Sequence, residues 1–157
     1  MPTTIPRPQD AIGLLKSDHR EAEKLFREFE DASDGGDPTE KLRIARKLCT
    51  ALLVHMEAKE CVFYPAVRTA PGAQDMLNEA LAEHSGTKLL IAQLGKLAAD
   101  DPLFDARIRL LGEQMERHAG EEEHKLFAKV KKTGLDLDAL GKELEEAKAK
   151  IRVRYTG

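Results

Sequence analysis

The chain has 157 residues, of which 41% are hydrophobic and 34% charged, and its formal net charge is -3. This length suits one domain with a single core, and an aromatic content of only 4% favours long amphipathic helices over a β-sheet. The mild negative charge and the lack of a basic stripe argue against nucleic acid as a partner.

No part of the sequence has the apolar run of a signal peptide, or the roughly 18 apolar residues of a membrane-spanning helix. We therefore expect a cytoplasmic protein without a membrane partner. Cys49 and Cys61 lie on one predicted helix, separated by roughly 18 Å of axial rise, which exceeds the ~7 Å limit for the Cα atoms of a disulfide. Both are expected to be free thiols, as in a reducing compartment.

Proline, glycine and capping residues divide the sequence into a leader and five predicted helices. The sequence Asp37-Pro38-Thr39-Glu40 is a capping box, and Gly134 suits a helix C-terminus. Four long helices with short connections predict an up-down-up-down four-helix bundle, with a short additional C-terminal helix on its outside. The predicted segments are a flexible leader over residues 1–9, bundle helices over 10–33, 38–65, 74–99 and 103–132, and a fifth helix over 137–151. The bundle domain would then cover residues 10–133, and the C-terminal helix and tail residues 134–157.

Four of the five histidines fall on the apolar stripe of a different predicted helix. They are His19, His55, His84 and His118. In antiparallel helices of similar length, these mid-helix positions meet at about one level of the bundle. Buried polar side chains are costly without a partner, and four converging imidazoles suit a metal ion.

A charged residue follows each stripe histidine at the fourth position. These residues are Glu23, Lys59, Lys88 and Glu122. Positions i and i+4 share a helix face, so the charged groups are predicted to point where the imidazoles point. Helical bundles commonly build di-iron centres from histidine and carboxylate at this spacing. Protonated lysines are not ligands, and they could swing outward or pair with Glu23 and Glu122.

Four motifs together resemble the hemerythrin-like family of cation-binding bundles. They are Asp18-His19, the run from His55 to Pro65, Glu83-His84, and the run from His118 to Phe127. The resemblance covers about residues 10–132. It implies a non-heme di-iron site inside a four-helix bundle, which family members use to bind oxygen or to sense oxygen, iron or nitric oxide. Carried over by position, it implies that His19, His55, His84, His118 and Glu122 are metal ligands.

The sequence departs from the family pattern at Lys59, where the resemblance implies a bridging glutamate. Glu60 follows directly and could bridge if the helix is locally overwound or bulged, although an ideal helix turns it roughly 140° away from His55. Lys88 stands where oxygen carriers of the family have a second histidine. The candidate ligands are therefore His19, His55, Glu60, His84, His118 and Glu122, with two iron ions expected and one iron ion or a weakened pair as the alternative.

Three classes of function remain open from the sequence. The first is an iron protein that binds or senses oxygen, nitric oxide, peroxide or iron, with a separate partner protein to receive a signal. The second is a di-iron enzyme that reduces peroxide or nitric oxide, or oxidises ferrous iron. The third is a metal-free helical scaffold in which Lys59 and Lys88 replace the metal charge against Glu23 and Glu122.

Overall fold

The computed structural model describes residues 9–156, and within these residues it contains five helices and no strand. Residues 1–8, most of the predicted leader, lie outside the described part of the chain. The first helix is Ala11–Gly35; the second is Pro38–Ala58, continued by Lys59–Phe63 and Tyr64–Val67; the third is Gln74–Leu94; the fourth is Pro102–Glu121, continued by Glu122–Leu126 and Phe127–Lys131; and the fifth is Leu137–Thr156.

Aspartate side chains cap the first, second and fourth helices at their N-termini. Asp10 accepts a hydrogen bond from the Gly13 amide, Asp37 from the Thr39 and Glu40 amides, and Asp101 from the Leu103 amide. Such caps satisfy backbone donors that have no partner within the helix. The predicted helix starts are confirmed to within a residue or two. The third helix, however, ends at Leu94, five residues before the predicted boundary at Ala99.

The second and fourth helices each contain one π-helical turn, Lys59–Phe63 and Glu122–Leu126. Both turns begin four residues after a stripe histidine. A π turn accommodates an extra residue, so it rotates the side chains that follow it relative to a regular helix, and such turns often occur at functional sites. The sequence prediction allowed for a local bulge only at Glu60, and the two turns change which of the side chains after them reach the core.

The core consists of two apolar clusters separated by a layer of buried polar residues. The first helix contributes Leu15 to one cluster and Phe29 to the other, and the polar layer lies between them. The second and fourth helices meet the two clusters in the opposite order, and the third helix meets them in the same order as the first. Neighbouring helices therefore run in opposite directions, which confirms the up-down-up-down arrangement. The buried polar residues of the layer are His19, His55, Lys59, His84, Thr87, His118 and Glu122.

The fifth helix is part of the core. Its side chains Leu140, Leu144 and Ile151 are buried in the first apolar cluster, and the helix packs against the first and second helices. A Cβ atom at Gly141 would lie 2.9 Å from the carbonyl oxygen of Gln9, so this close approach requires glycine. The predicted additional C-terminal helix is therefore confirmed; it extends five residues beyond the expected end at Ile151, and its apolar face packs into the core. None of the described helices combines the length and hydropathy needed to cross a membrane.

Replacing Leu144 with alanine is expected to lower the free energy of unfolding by roughly 2–5 kcal/mol, because the core closes only partly over the lost methyl groups. The matched control is Val153→Ala on the same helix, where the side chain is 68% exposed and the change should stay within about 0.5 kcal/mol. Urea unfolding followed by circular dichroism measures both. Equal small effects in the two variants would contradict a structural role for the fifth helix.

Candidate metal centre

The polar layer brings the four stripe histidines together as two pairs. The ring centroids of His19 and His55 lie 5.0 Å apart, and those of His84 and His118 lie 5.1 Å apart. All four side chains are buried. The prediction that the four histidines meet at one level of the bundle is confirmed.

Each histidine is oriented by a carboxylate at its outward ring nitrogen. The Nδ1–carboxylate pairs are His19 with Glu123 at 3.3 Å, His55 with Asp18 at 2.8 Å, His84 with Glu60 at 3.0 Å, and His118 with Glu83 at 2.6 Å. An ionised carboxylate only accepts hydrogen bonds, so Nδ1 carries the proton. The Nε2 lone pair of each neutral ring then faces the interior, as metal-binding histidines require.

Glu60 does not join the inward-facing nitrogen atoms. Its Oε2 lies 3.0 Å from His84 Nδ1, on the outer side of the ring, and its Oε1 accepts a hydrogen bond from Lys88 Nζ at 2.9 Å. The second helix forms a π turn here, but Lys59, the fourth residue after His55, points into the core as in a regular helix, and Glu60 points towards the third helix. Glu60 therefore orients His84, which differs from its predicted role as a metal ligand.

Lys59 is completely buried at the centre of the polar layer. Its Nζ lies 3.1 and 3.2 Å from the two carboxylate oxygens of Glu122 and 3.2 Å from Nε2 of His118. Because Nδ1 of His118 donates to Glu83, its Nε2 accepts a hydrogen bond from the lysine. The lysine does not reach the solvent, so the alternative of an outward-swinging side chain is wrong, and its pairing with Glu122 is confirmed.

The other two charged residues at the i+4 positions lie outside the polar layer. Glu23 pairs with Arg20 on the surface, and Lys88 pairs with Glu60. Neither reaches Glu122, so the prediction that Glu23 points into the site was wrong, whereas Lys88 swings outward, which was one of the alternatives for the lysines. Wide polar faces on the first and third helices allow these side chains to lean towards water.

Tyr64 completes the environment of Glu122. Its hydroxyl group donates a hydrogen bond to Glu122 Oε2 at 3.0 Å and lies 3.4 Å from His84 Nε2. Burial and the adjacent Glu122 carboxylate raise the pKa of Tyr64, so the phenol remains protonated. The hydroxyl group of Tyr64 therefore belongs to the polar layer.

Electrostatics keep the Glu122 carboxylate charged and the imidazoles of His19, His55 and His84 neutral. Burial alone would raise the pKa of Glu122, but Lys59 and His118 outweigh it and hold this pKa well below its usual value. Burial, followed by the nearby Lys59 ammonium, lowers the pKa of His55 to about 3 and that of His84 to about 2. The same two causes lower the pKa of His19. Neutral imidazole is the form that binds a metal ion.

His19, His55 and Glu122 form a group that can hold a cation. One ligand atom from each lies within 4.8 Å of the others. The Nε2 atoms of His19 and His55 are buried without a hydrogen-bond partner. Buried polar atoms without a partner are rare and costly, and two imidazole nitrogens beside a carboxylate match the ligands that iron accepts. These residues therefore fit a metal ion.

Of the remaining two histidines, His118 is already occupied by a protein group, because its Nε2 accepts a hydrogen bond from Lys59. His84 Nε2 lies 3.4 Å from the Tyr64 hydroxyl group, whose proton is donated to Glu122. The centre thus has two unlike halves, which we call the open half, with His19 and His55, and the lysine half, with His84 and His118. Glu122 lies between them, with Oε1 3.7 Å from His19 Nε2 and Oε2 3.3 Å from His118 Nε2.

A cavity of about 1000 Å³ reaches the open half of the centre. His19 and His55 line it, together with apolar side chains such as Leu52 and Met115 and charged side chains such as Glu113. The cavity therefore gives a small molecule a route to these two histidines.

Comparison with known proteins identifies the family. The sequence model of the hemerythrin HHE cation binding domain matches residues 10–130. The chain belongs to the hemerythrin HHE family. It therefore carries a cation-binding helical domain, which confirms the resemblance that the four motifs indicated.

Two relatives of this HHE-family chain add to the comparison. A solved hemerythrin HHE cation binding domain-containing protein from Mycobacterium kansasii has a TM-score of 0.78 at 23% identity, over 93% of this chain and 89% of that chain, which supports the fold alone. A Nostoc protein described as a DNA nickase is 30% identical over 92% of this chain. The chain spans only 40% of the length of that relative.

The cation-free protein is expected to lose stability as the pH falls below about 6.5. In this range the unfolded chain takes up protons at histidines, whereas the pKa values of His55 and His84 in the folded state are about 3 and about 2. Since the unfolded state binds more protons, the free energy of unfolding decreases as the pH falls towards about 3. Urea unfolding between about pH 7.5 and pH 5 measures this slope. A constant free energy of unfolding across that interval would contradict neutral buried imidazoles.

Proposed function

We propose that this HHE-family protein binds one iron ion through His19, His55 and Glu122, and uses it to bind or sense a small molecule such as oxygen, nitric oxide or peroxide. The observation that carries the proposal is the difference between the two halves of the centre. The open half has two buried nitrogen atoms without a partner, whereas the corresponding atom of His118 accepts from Lys59.

Lys59 supports one cation rather than the pair that the family resemblance implies. Its ammonium group already contacts both oxygens of Glu122. Two unit charges ~4 Å apart repel by about 4 kcal/mol at an effective dielectric near 20, and a divalent ion doubles this to roughly 8 kcal/mol. A second cation in the lysine half would therefore have to displace Lys59, and the first must share Glu122 with it.

The ligands of the open half favour iron among the common cations. Two histidines and one carboxylate on one side of an ion leave other coordination positions free, an arrangement typical of non-heme ferrous iron. When bound, iron would supply a Lewis acid that can also change oxidation state. The protein would orient the ligands, exclude bulk water with the two apolar clusters, and admit a small molecule through the cavity beside Ala22 and Met115.

The name of the Nostoc relative suggests a different function, cleavage of one DNA strand. We do not extend that activity to this chain, because the match covers 40% of the relative and the net charge of -3 does not favour binding to phosphates. The lack of a nucleic-acid partner stays a prediction. Catalytic turnover of peroxide or nitric oxide would use the same centre. Of the metal-free arrangement predicted from the sequence, the lysine half contains the Lys59–Glu122 pair, whereas Lys88 and Glu23 have other partners.

Alanine substitution in each half tests the proposal. His55→Ala removes a proposed ligand and should weaken iron or cobalt binding by at least about 100-fold, whereas the matched variant His84→Ala should retain one ion per chain within about threefold of the wild-type affinity. Anaerobic titration with metal analysis measures both, and circular dichroism checks the fold. Equal loss of metal in the two variants would contradict a single ion in the open half, and unchanged binding in His55→Ala would contradict the site itself.

A further inference from the structure

The fifth helix reaches the candidate metal centre through Lys148. Its Nζ lies 2.5 Å from Oδ1 of Asp18, and Oδ2 of the same carboxylate lies 2.8 Å from Nδ1 of His55. The lysine and aspartate side chains are only 14% and 20% exposed, and His55 is buried. An ammonium, a carboxylate and an imidazole therefore form a continuous hydrogen-bonded chain from the fifth helix to the open half.

Lys148 restricts what the Asp18 carboxylate can do. A carboxylate bound on one side alone can rotate and present either oxygen, whereas here each oxygen has its own partner. A charged, fixed carboxylate keeps the proton on His55 Nδ1 and the Nε2 lone pair directed inward.

The position of Lys148 is itself fixed by the core. Leu144 lies one turn before it and Ile151 one turn after it, and both side chains are buried in the first apolar cluster. Helical residues three and four positions apart share a face, so these anchors direct Lys148 towards the first and second helices. This part of the chain follows the end of the family match at residue 130.

The lysine half offers a matched comparison. Lys88 Nζ donates to Glu60, and Glu60 accepts from His84 Nδ1, so the same three groups occur in the same order. The two lysines differ in which histidine they support. They also differ in burial, because the side chain of Lys88 is 35% exposed and that of Lys148 is 14% exposed.

We propose that Lys148 is a positioning residue of the cation site, which holds Asp18 so that Asp18 fixes the tautomer and orientation of His55. The effect on cation binding rests on the proposed function, whereas the effect on the tautomer of His55 does not. The fifth helix then contributes to the centre, and the affinity for the cation depends on how this helix packs against the first and second helices.

Affinity measurements test the first consequence. Lys148→Met is expected to weaken cobalt binding roughly tenfold, at the lower end of the range for groups that orient a metal ligand, because the lysine acts through Asp18. Lys148→Arg keeps the charge and should stay within about threefold of wild type. Lys88→Met, the control in the lysine half, should stay within about twofold. Competition with a chelating dye measures the three dissociation constants against wild type.

Nuclear magnetic resonance of the cation-free protein tests the second consequence. The ¹⁵N shifts of His55 should report one tautomer with the proton on Nδ1 in wild type and in Lys148→Arg, and a mixture of tautomers in Lys148→Met. Asp18→Asn should produce at least as large an effect. Combining Lys148→Met with Asp18→Asn should change the tautomer ratio of His55 little beyond the effect of Asp18→Asn alone, since both substitutions act on the same chain of hydrogen bonds. Lys148→Gln replaces Lys148→Met if the latter does not fold.

The outcomes separate the two proposals. Wild-type affinity together with an unchanged tautomer of His55 in Lys148→Met would overturn the role of Lys148, while binding of one ion by wild type would leave the proposed function intact. Weakening in Lys88→Met as large as in Lys148→Met would instead contradict a single ion in the open half. If wild type binds no cation, the proposed function fails, and the tautomer of His55 still decides the role of Lys148.

Discussion

The buried ion pair between Lys59 and Glu122 is the interaction on which the rest of the polar layer depends. Each charge loses its hydration in the core, and the cost is offset by mutual attraction and by hydrogen bonds from Tyr64 to Glu122 and from Lys59 to His118. Removing one partner would leave a buried charge uncompensated, which typically destabilises a protein by about 3–5 kcal/mol. The ammonium group of Lys59 and the carboxylate group of Glu122 carry opposite charges, so the pair adds no net charge to the polar layer.

The fold and the candidate centre depend on each other through this layer. Apolar clusters above and below keep water away from the histidines, and this burial is the largest cause of the lowered pKa of His55. The carboxylates outside the histidines then select one tautomer. A cation in the open half would meet two neutral nitrogens and one oxygen of Glu122, with Asp18 and Glu123 as further negative charge behind the rings.

Much of the fold could be predicted from the sequence because helical periodicity and end caps are local properties. The four stripe histidines followed from that periodicity, and so did their common depth. The inward direction of Lys59 also followed from its position four residues after His55, but the choice between an outward-swinging side chain and a buried pair with Glu122 depended on the packing of the helices. Glu60 lies roughly 140° around an ideal helix from His55, and the π turn that begins at Lys59 does not bring it inward, so it faces His84 from outside, contrary to the predicted ligand role. Partners on other helices, such as Glu123 for His19, become visible only after the helices are packed.

Asp18 and Glu83 carry a usable signal, since each directly precedes a stripe histidine and orients the histidine of the next helix.

The metal content of a Lys59→Glu variant tests the central claim most directly. In our proposal the ammonium group of Lys59 takes the place of a second cation, so a carboxylate there should allow two ions to bind. Anaerobic loading followed by metal analysis should give one ion per chain for wild type and two for Lys59→Glu, while Lys88→Glu, a charge reversal outside the polar layer, should remain at one. Two ions in wild type, or one ion in a folded Lys59→Glu variant, would contradict the account.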